Sequence, residues 1–227
     1  MFPNAQKAEM LHSLGKVVKG LSVLFWSLPI TVLVCVKTAT SDLLNTFGIL
    51  PPLVTTAMLS YGLWQLTCFQ KQERVWNLAL DRVKLLSIAN VGLSPFVFWW
   101  NEYPSVQLYQ TAVGILMLSS LLFLFNLNQA MGRLAAMLPD ETLRLETQFF
   151  VSLNLYLLVG LVAVSAVFLA LQEINILPGP VIDFLVAVDT VKHVLLVFLI
   201  LLPLAMTMTM IWKIKEVIFG SVFESES

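Results

Sequence analysis

Asp189, Lys192 and His193 stand immediately before one of the most apolar stretches of the chain. On a helix, Asp189 and His193 share one face because they are four residues apart, and Lys192 lies beside them. A carboxylate next to an imidazole can relay protons or hold an ion, because histidine titrates near neutral pH. We therefore predict a candidate proton or ion site at these residues. The alternative interpretation is that they mark the place where a helix leaves the membrane and meets water.

Three amide side chains and one proline interrupt long apolar runs. They are Gln65, Asn90, Asn154 and Pro95. Amide side chains commonly join membrane helices through hydrogen bonds, which favours a packing role. A helix interrupted by proline is also where transporters place solute sites. The four residues are therefore candidates for helix packing or for lining a substrate path, and Asn90 is the strongest candidate for the path.

Catalytic motifs are missing from the sequence. It has no His-Glu-x-x-His, no Gly-x-Ser-x-Gly and no phosphate-binding glycine loop. The only histidines, His12 and His193, are predicted to lie on opposite sides of a membrane. The two cysteines, Cys35 and Cys68, are too few for a disulfide framework. We therefore expect no catalytic residue, no metal site and no cofactor.

The composition indicates an integral membrane protein. Hydrophobic residues make up 58% of the 227 residues and charged residues only 12%, whereas a soluble domain carries about 25% charged residues. The mean hydropathy is +0.85. The net charge of -1 and the lack of a long basic run give no indication of nucleic-acid binding.

Six stretches approach the length needed to cross a bilayer, which is roughly 20 apolar residues. These stretches are residues 20–37, 47–69, 83–100, 108–127, 149–171 and 192–212. The third is the weakest, because only 16 residues run from Leu85 to Trp100. Ser94-Pro95 predicts a kink in it, because proline removes a backbone donor. The predicted fold class is an all-α, polytopic transmembrane helix bundle with six spans.

Basic residues orient these spans. Of the 13 lysines and arginines, all but Lys37 and Lys192 fall in segments on one side if the spans alternate. Because positive loops stay in the cytoplasm, we predict a plasma (inner) membrane protein with both termini cytoplasmic. Trp76 and Trp212 are expected at the inner interface, where tryptophan is enriched.

Three regions follow from these patterns. Residues 1–19 are predicted to form a cytoplasmic, interfacial amphipathic helix that turns into the first span. Residues 20–212 form the bundle, with helical cytoplasmic connections, and residues 213–227 form a short cytoplasmic tail. Charged and polar residues on the connections make a candidate surface for docking a partner. They are Arg74, Asn77, Asp81, Asp140, Glu141 and Arg144.

The sequence leaves three hypotheses about function. The first is a non-enzymatic subunit of a larger membrane assembly, working in transport or scaffolding. The second is a small transporter or channel acting as an oligomer, and the third is an intramembrane lipid-modifying enzyme. The expected partners are the lipid bilayer and other membrane or cytoplasmic subunits or further copies of the chain, with no nucleic acid.

Overall fold

The computed structural model describes residues 3–67, 69, 73–138, 141–172 and 201–220. Within these ranges the protein is all-helical and contains no strand. The helices are α1 (Pro3–Thr40), a 3-10 helix (Asp42–Phe47), α2 (Leu50–Leu66), α3 (Arg74–Leu93), α4 (Pro95–Glu102), α5 (Gln107–Ala136) and α6 (Glu141–Gln172). Residues 201–220 form a further helix, named α7 here.

Three helical stretches are long and apolar enough to cross a membrane. They are Ser13–Thr40, Arg74–Glu102 and Gln107–Ala136, and they correspond to the first, third and fourth predicted spans. The second predicted span falls on α2, whose 17 residues extend only about 26 Å at 1.5 Å per residue. The fifth lies within α6, and the sixth is described only from residue 201 onward. The described residues therefore give three membrane-spanning candidates, where the sequence predicted six spans.

The side chains are distributed as expected for a protein surrounded by lipid. Large apolar residues point outward: Trp64 is 66% exposed, Leu85 69% and Tyr156 72%. Hydroxyl and amide side chains such as Thr56 and Asn154 are buried between the helices. A water-soluble domain rarely leaves so many large apolar side chains uncovered. This arrangement supports the membrane character indicated by the composition.

Helix α2 runs antiparallel to α1 and to α3. Gly20, near the start of the apolar part of α1, adjoins Gly62, near the end of α2. Farther along α1, the Thr31 hydroxyl donates to the carbonyl oxygen of Thr55 at 3.1 Å. The α2–α3 contacts show the same reversal of direction, through the pairs Thr56–Ser94 and Ser60–Ser87.

The last three helices continue this alternation and return to α1. Helix α5 packs on α3 and α6. Helices α6 and α7 are antiparallel, because Glu146 contacts Lys213 whereas Asn154, farther along α6, contacts the earlier Thr207. The rings of Phe25 on α1 and Trp212 on α7 lie 5.7 Å apart. The described helices therefore form a bundle in which α7 contacts α1, α5 and α6.

Because the helices alternate in direction, most of the described basic residues lie in one half of the bundle, called the basic end here. They are Lys16, Lys19, Arg74, Arg82, Lys84, Arg133, Arg144, Lys213 and Lys215. Lys37, near the end of α1, belongs to the opposite end. The charge pattern read from the sequence thus corresponds to a physical asymmetry of the bundle.

Two sequence-based expectations are wrong. Helix α1 is continuous from Pro3 to Thr40, so no turn separates residues 1–19 from the first span. Trp76 is fully buried in the core, so its ring does not face lipid as that of an interfacial tryptophan would, because it points from α3 into the bundle. Helix α7 extends to residue 220, and the cytoplasmic tail from residue 213 onward stays a prediction.

Candidate functional site

Three helices meet at a buried polar cluster formed by Asn128 of α5, Asn154 of α6 and Thr207 of α7. Asn154 is 1% exposed, Asn128 3% and Thr207 0%. The Asn154 side-chain amide donates to the Thr207 hydroxyl at 3.1 Å and to the carbonyl oxygen of Pro203 at 3.3 Å. We call these three side chains the Asn–Asn–Thr cluster.

The Thr207 hydroxyl is the centre of this cluster. It lies 3.1 Å from the Asn128 side-chain oxygen and 2.8 Å from the Pro203 carbonyl oxygen, with geometry to donate to either. A hydroxyl carries one hydrogen and can accept as well. Thr207 therefore donates to one of these oxygens at a time while accepting from Asn154. The Asn128 amide group donates to its own helix, to Leu124, at 2.9 Å.

A small recess between α5 and α6 adjoins the cluster. Its volume is about 20 Å³, and its polar lining comes from Asn128 and Gln129. The remaining lining is apolar, from Phe125, Val151, Leu155 and Leu158. A volume near 10–15 Å³ is about what one water molecule needs. The recess therefore has room for a water molecule and not for an organic solute.

An ion pair joins α6 and α7 toward the basic end. Lys213 of α7 pairs with Glu146 of α6, and its ammonium group lies 5.5 Å from the centre of the Phe150 ring. Both charged side chains are more than a third exposed, so the pair adds little stability. The pair lies about two helical turns from the Asn–Asn–Thr cluster, on the same two helices.

The helical hydrogen bonding of the third span is interrupted at Ser94, between α3 and α4, although Ser94 keeps helical dihedral angles and Arg74–Glu102 runs as one stretch of 29 residues. The kink itself stays a prediction. Pro95 has no backbone N–H, so the carbonyl of Val91 loses its usual helical donor. The Ser94 hydroxyl donates to that carbonyl at 2.9 Å. The Thr56 hydroxyl of α2 lies 3.2 Å from the Ser94 hydroxyl. The Ser94 hydroxyl thus supplies a donor to the backbone carbonyl that proline leaves without one.

Asn90 lies one turn before this break, on the buried face of α3, and is 5% exposed. Its side-chain oxygen finds no hydrogen-bond partner among the described residues, and neither does the hydroxyl of Ser119 on α5. Helices α3 and α5 pack against each other. Gln65 does not lie with Asn90 and Ser119 between α3 and α5. Its Cβ lies against Gly20, where α1 meets α2.

The candidate proton or ion site, Asp189, Lys192 and His193, lies outside the described residues, and so does Asp140. The other residues of the candidate docking surface fall on two helices at the basic end. Arg74 and Asp81 are exposed on α3, and Glu141 and Arg144 are exposed on α6. Asn77 is half-buried. Asp81 pairs with Lys84 at 3.0 Å.

Sequence reasoning identified Asn154 and missed its partners, Asn128 and Thr207. Both partners lie in strongly apolar helices, so their polar residue types alone mark them in the sequence as candidates for a buried polar contact. Nothing in the local sequence shows that residues 79 apart, Asn128 and Thr207, are joined by a hydrogen bond. Comparisons with protein-family models, with curated proteins and with solved structures give no match to this chain.

Proposed function

We propose that this chain is a six-span membrane protein and a non-enzymatic subunit of a larger membrane assembly, with both termini in the cytoplasm. The positive-inside rule supports the orientation, since the basic end would face the cytoplasm. Three helices are long and apolar enough to cross a membrane. Helices α2, α6 and α7 would supply the other three spans. Helix α2 would cross with the help of the adjoining 3-10 helix, Asp42–Phe47.

The observation that carries the subunit proposal is the hydrogen bonding inside the bundle. Asn128, Asn154 and Thr207 bond to one another or to backbone carbonyls across three helices. Groups that bind a transported solute must be available to that solute, whereas these hydrogen bonds hold helices together. Within the cluster, the Asn154 side-chain oxygen has no partner among the described residues. The recess beside them, at about 20 Å³, is too small for an organic substrate. This arrangement favours a scaffolding role.

The exposed charges at the basic end supply the surface through which such a subunit would bind a partner. Glu141 and Arg144 begin α6, and Arg74 begins α3. Exposed charges of this kind contribute more to the choice of partner than to affinity, because their like-charge contacts exclude wrong partners.

The test is purification of the full chain from its native membrane in mild detergent, followed by measurement of the mass of the complex. A partner at fixed stoichiometry is expected. Charge reversal by Glu141→Lys with Arg144→Glu should release it, and Glu102→Lys at the opposite end of the bundle should not. A chain that purifies alone or only with copies of itself would contradict the subunit proposal.

A small transporter or channel is the second candidate, and one observation favours it. The buried oxygens of Asn90 on α3 and Ser119 on α5 lack partners in the described part of the chain, and Pro95 follows α3. Transporters place solute sites at discontinuous helices, and the predicted kink at Pro95 would supply one. On this proposal Asp189 and His193 couple the movement of protons or ions, as the sequence suggests.

Vesicle reconstitution separates the two candidates. The wild type, Asn90→Leu and the double variant Asp189→Asn with His193→Gln are each reconstituted, and internal pH is followed under an imposed gradient. A transporter that uses these residues moves protons in the wild type and fails in both variants. Identical traces for all three, at the level of protein-free vesicles, would remove proton transport from consideration.

A further inference from the structure

The recess between α5 and α6 combines the volume of a water molecule with a polar lining. Its volume is about 20 Å³, and Asn128 and Gln129 of α5 supply the polar part of its lining. Asn128 is 3% exposed, whereas Gln129 is exposed at the surface of the bundle. An ordered water molecule needs a volume of about 10–15 Å³ and about two to four polar partners. The recess therefore offers such a molecule one buried partner and one exposed partner.

The Asn128 side-chain oxygen shares its donor with a second acceptor. The Thr207 hydroxyl carries one hydrogen, and it lies 2.8 Å from the Pro203 carbonyl oxygen but 3.1 Å from the Asn128 oxygen. Whenever Thr207 donates to Pro203, the Asn128 oxygen loses that donor. The Asn128 amide also has two N–H bonds, of which one donates to the Leu124 carbonyl at 2.9 Å. A water molecule supplies both a donor and an acceptor to such a group.

The recess lies only a short way inside the charged residues of the basic end. Along α5, Gln129 precedes the exposed Arg133 by four residues, so it lies about 6 Å deeper in the bundle. Along α6, Val151 follows Glu146 by five residues, which corresponds to about 7.5 Å. Water that solvates these charged groups is therefore within about two helical turns of the recess.

We propose that the recess binds a water molecule, which donates to the Asn128 side-chain oxygen and bonds to the Gln129 amide. A cation is a poorer occupant, because the six lining residues include no acidic side chain and charge inside a membrane is costly. The end of an acyl chain would fill the recess without giving the two amides a partner, which is also unfavourable. The bound water would leave the Thr207 hydroxyl to donate to Pro203. The site would be present under either candidate function.

Solid-state NMR of the full chain in phosphatidylcholine bilayers tests this site. In the wild type, polarisation should pass from water to the side-chain amide protons of Asn128. Val151→Ile and Leu155→Phe each enlarge a side chain that lines the recess, so either change should abolish the transfer. Val159→Ile is the matched control, since Val159 is 58% exposed and its added methyl group extends into lipid. The control should keep the wild-type transfer.

Thermal unfolding in detergent gives a second measurement, which does not require detection of the water. Once the recess is filled, Thr207 is left as the donor to the Asn128 oxygen. Thr207→Val should therefore lower Tm more in the Val151→Ile background than in the wild type, and equally in the Val159→Ile background and the wild type. Because Val151→Ile is present in both proteins of its pair, any overpacking that it causes cancels.

Three results would overturn the proposal. One is the absence of transfer from water to Asn128 in the wild type, and another is transfer that persists in both Val151→Ile and Leu155→Phe. The third is an equal loss of Tm from Thr207→Val in all three backgrounds. Transfer to Asn128 from acyl-chain protons in place of water would count with the first, because it would mean that a lipid chain occupies the recess.

Discussion

Gly20 of α1 and Gly62 of α2 face each other so closely that neither position has room for a side chain. A Cβ atom on Gly20 would lie 2.8 Å from the carbonyl oxygen of Gly62. A Cβ atom on Gly62 would lie 2.9 Å from Cγ of Leu24 and 3.2 Å from the carbonyl oxygen of Gly20. Small residues that let two backbones approach are a common means of joining membrane helices, where there is no hydrophobic force between them.

Gly20→Ala should therefore destabilise the protein. Alanine favours a helix over glycine by about 1 kcal/mol, but overpacking costs about 1–3 kcal/mol, and here the nearest atom belongs to rigid backbone. We expect a lower Tm, followed by tryptophan fluorescence in detergent. Gly114→Ala is the matched control, since no atom lies within 4 Å of its Cβ position. Its Tm should be unchanged or higher, and equal shifts in the two variants would contradict the close contact.

The sequence predicted individual helices better than their contacts. Length and apolar character placed α5 and α6 correctly, and Ser94-Pro95 predicted the break after α3, because these are local properties of the chain. The Gly20–Gly62 contact could not be predicted, because it depends on which faces of two helices meet. The same holds for Asn128, Asn154 and Thr207, whose residue types were visible and whose pairing was not.

Two errors have physical explanations. A turn was expected before the first span because the lysines end and the apolar run begins near Gly20. A single glycine does not break a helix, so α1 continues through it. Trp76 was placed at the membrane interface from its residue type alone. Its position on α3 puts it in line with Leu80 and Val83, and all three are buried.

Removing the Thr207 hydroxyl should weaken the contact of α7 with α5 and α6. In Thr207→Val the Asn128 oxygen loses a donor and the Asn154 amide loses an acceptor, both in a buried place. Hydrogen bonds between membrane helices average about 0.6 kcal/mol and reach about 1.7 kcal/mol. We expect a loss of about 1–2 kcal/mol in unfolding free energy.

Thr209→Val is the control for this change. Its exposed hydroxyl bonds only to the Ala205 carbonyl of its own helix at 2.9 Å. The same chemical change should therefore leave denaturant unfolding curves within about 0.5 kcal/mol of wild type. If Thr207→Val behaves like Thr209→Val, the Asn–Asn–Thr cluster does not hold the helices together.

The proposed orientation can be tested with single cysteines in a variant lacking Cys35 and Cys68. Tyr103, between α4 and α5, is 54% exposed, and Ala136, at the end of α5, is exposed. An impermeant maleimide should label Tyr103→Cys on intact cells and Ala136→Cys only after permeabilisation. The opposite pattern would place the basic end outside and overturn the orientation. Labelling of both sites on intact cells would mean that α5 does not cross the membrane.

The last prediction concerns the coupling between Ser94 and Pro95. If the Ser94 hydroxyl replaces the donor that Pro95 lacks, Ser94→Ala should leave the half-buried Val91 carbonyl unbonded. An unsatisfied polar group costs about 1–3 kcal/mol where it is fully buried, so the cost here should fall at the lower end of that range. Pro95→Ala supplies a backbone N–H at the position from which a regular helix bonds that carbonyl. Ser94→Ala should then cost much less in the Pro95→Ala background.

A double-mutant cycle measures this difference. The four proteins are wild type, Ser94→Ala, Pro95→Ala and the double variant, and their unfolding free energies should show a coupling of about 1 kcal/mol. Ser22 provides the comparison: its hydroxyl bonds the Val18 carbonyl at 2.8 Å, beside Gly20 and so at the other end of the bundle from Pro95. Ser22→Ala and Pro95→Ala should be additive. Additivity in the Ser94 cycle as well would show that the hydroxyl contributes through its contact with Thr56 and not by replacing the proline's missing donor.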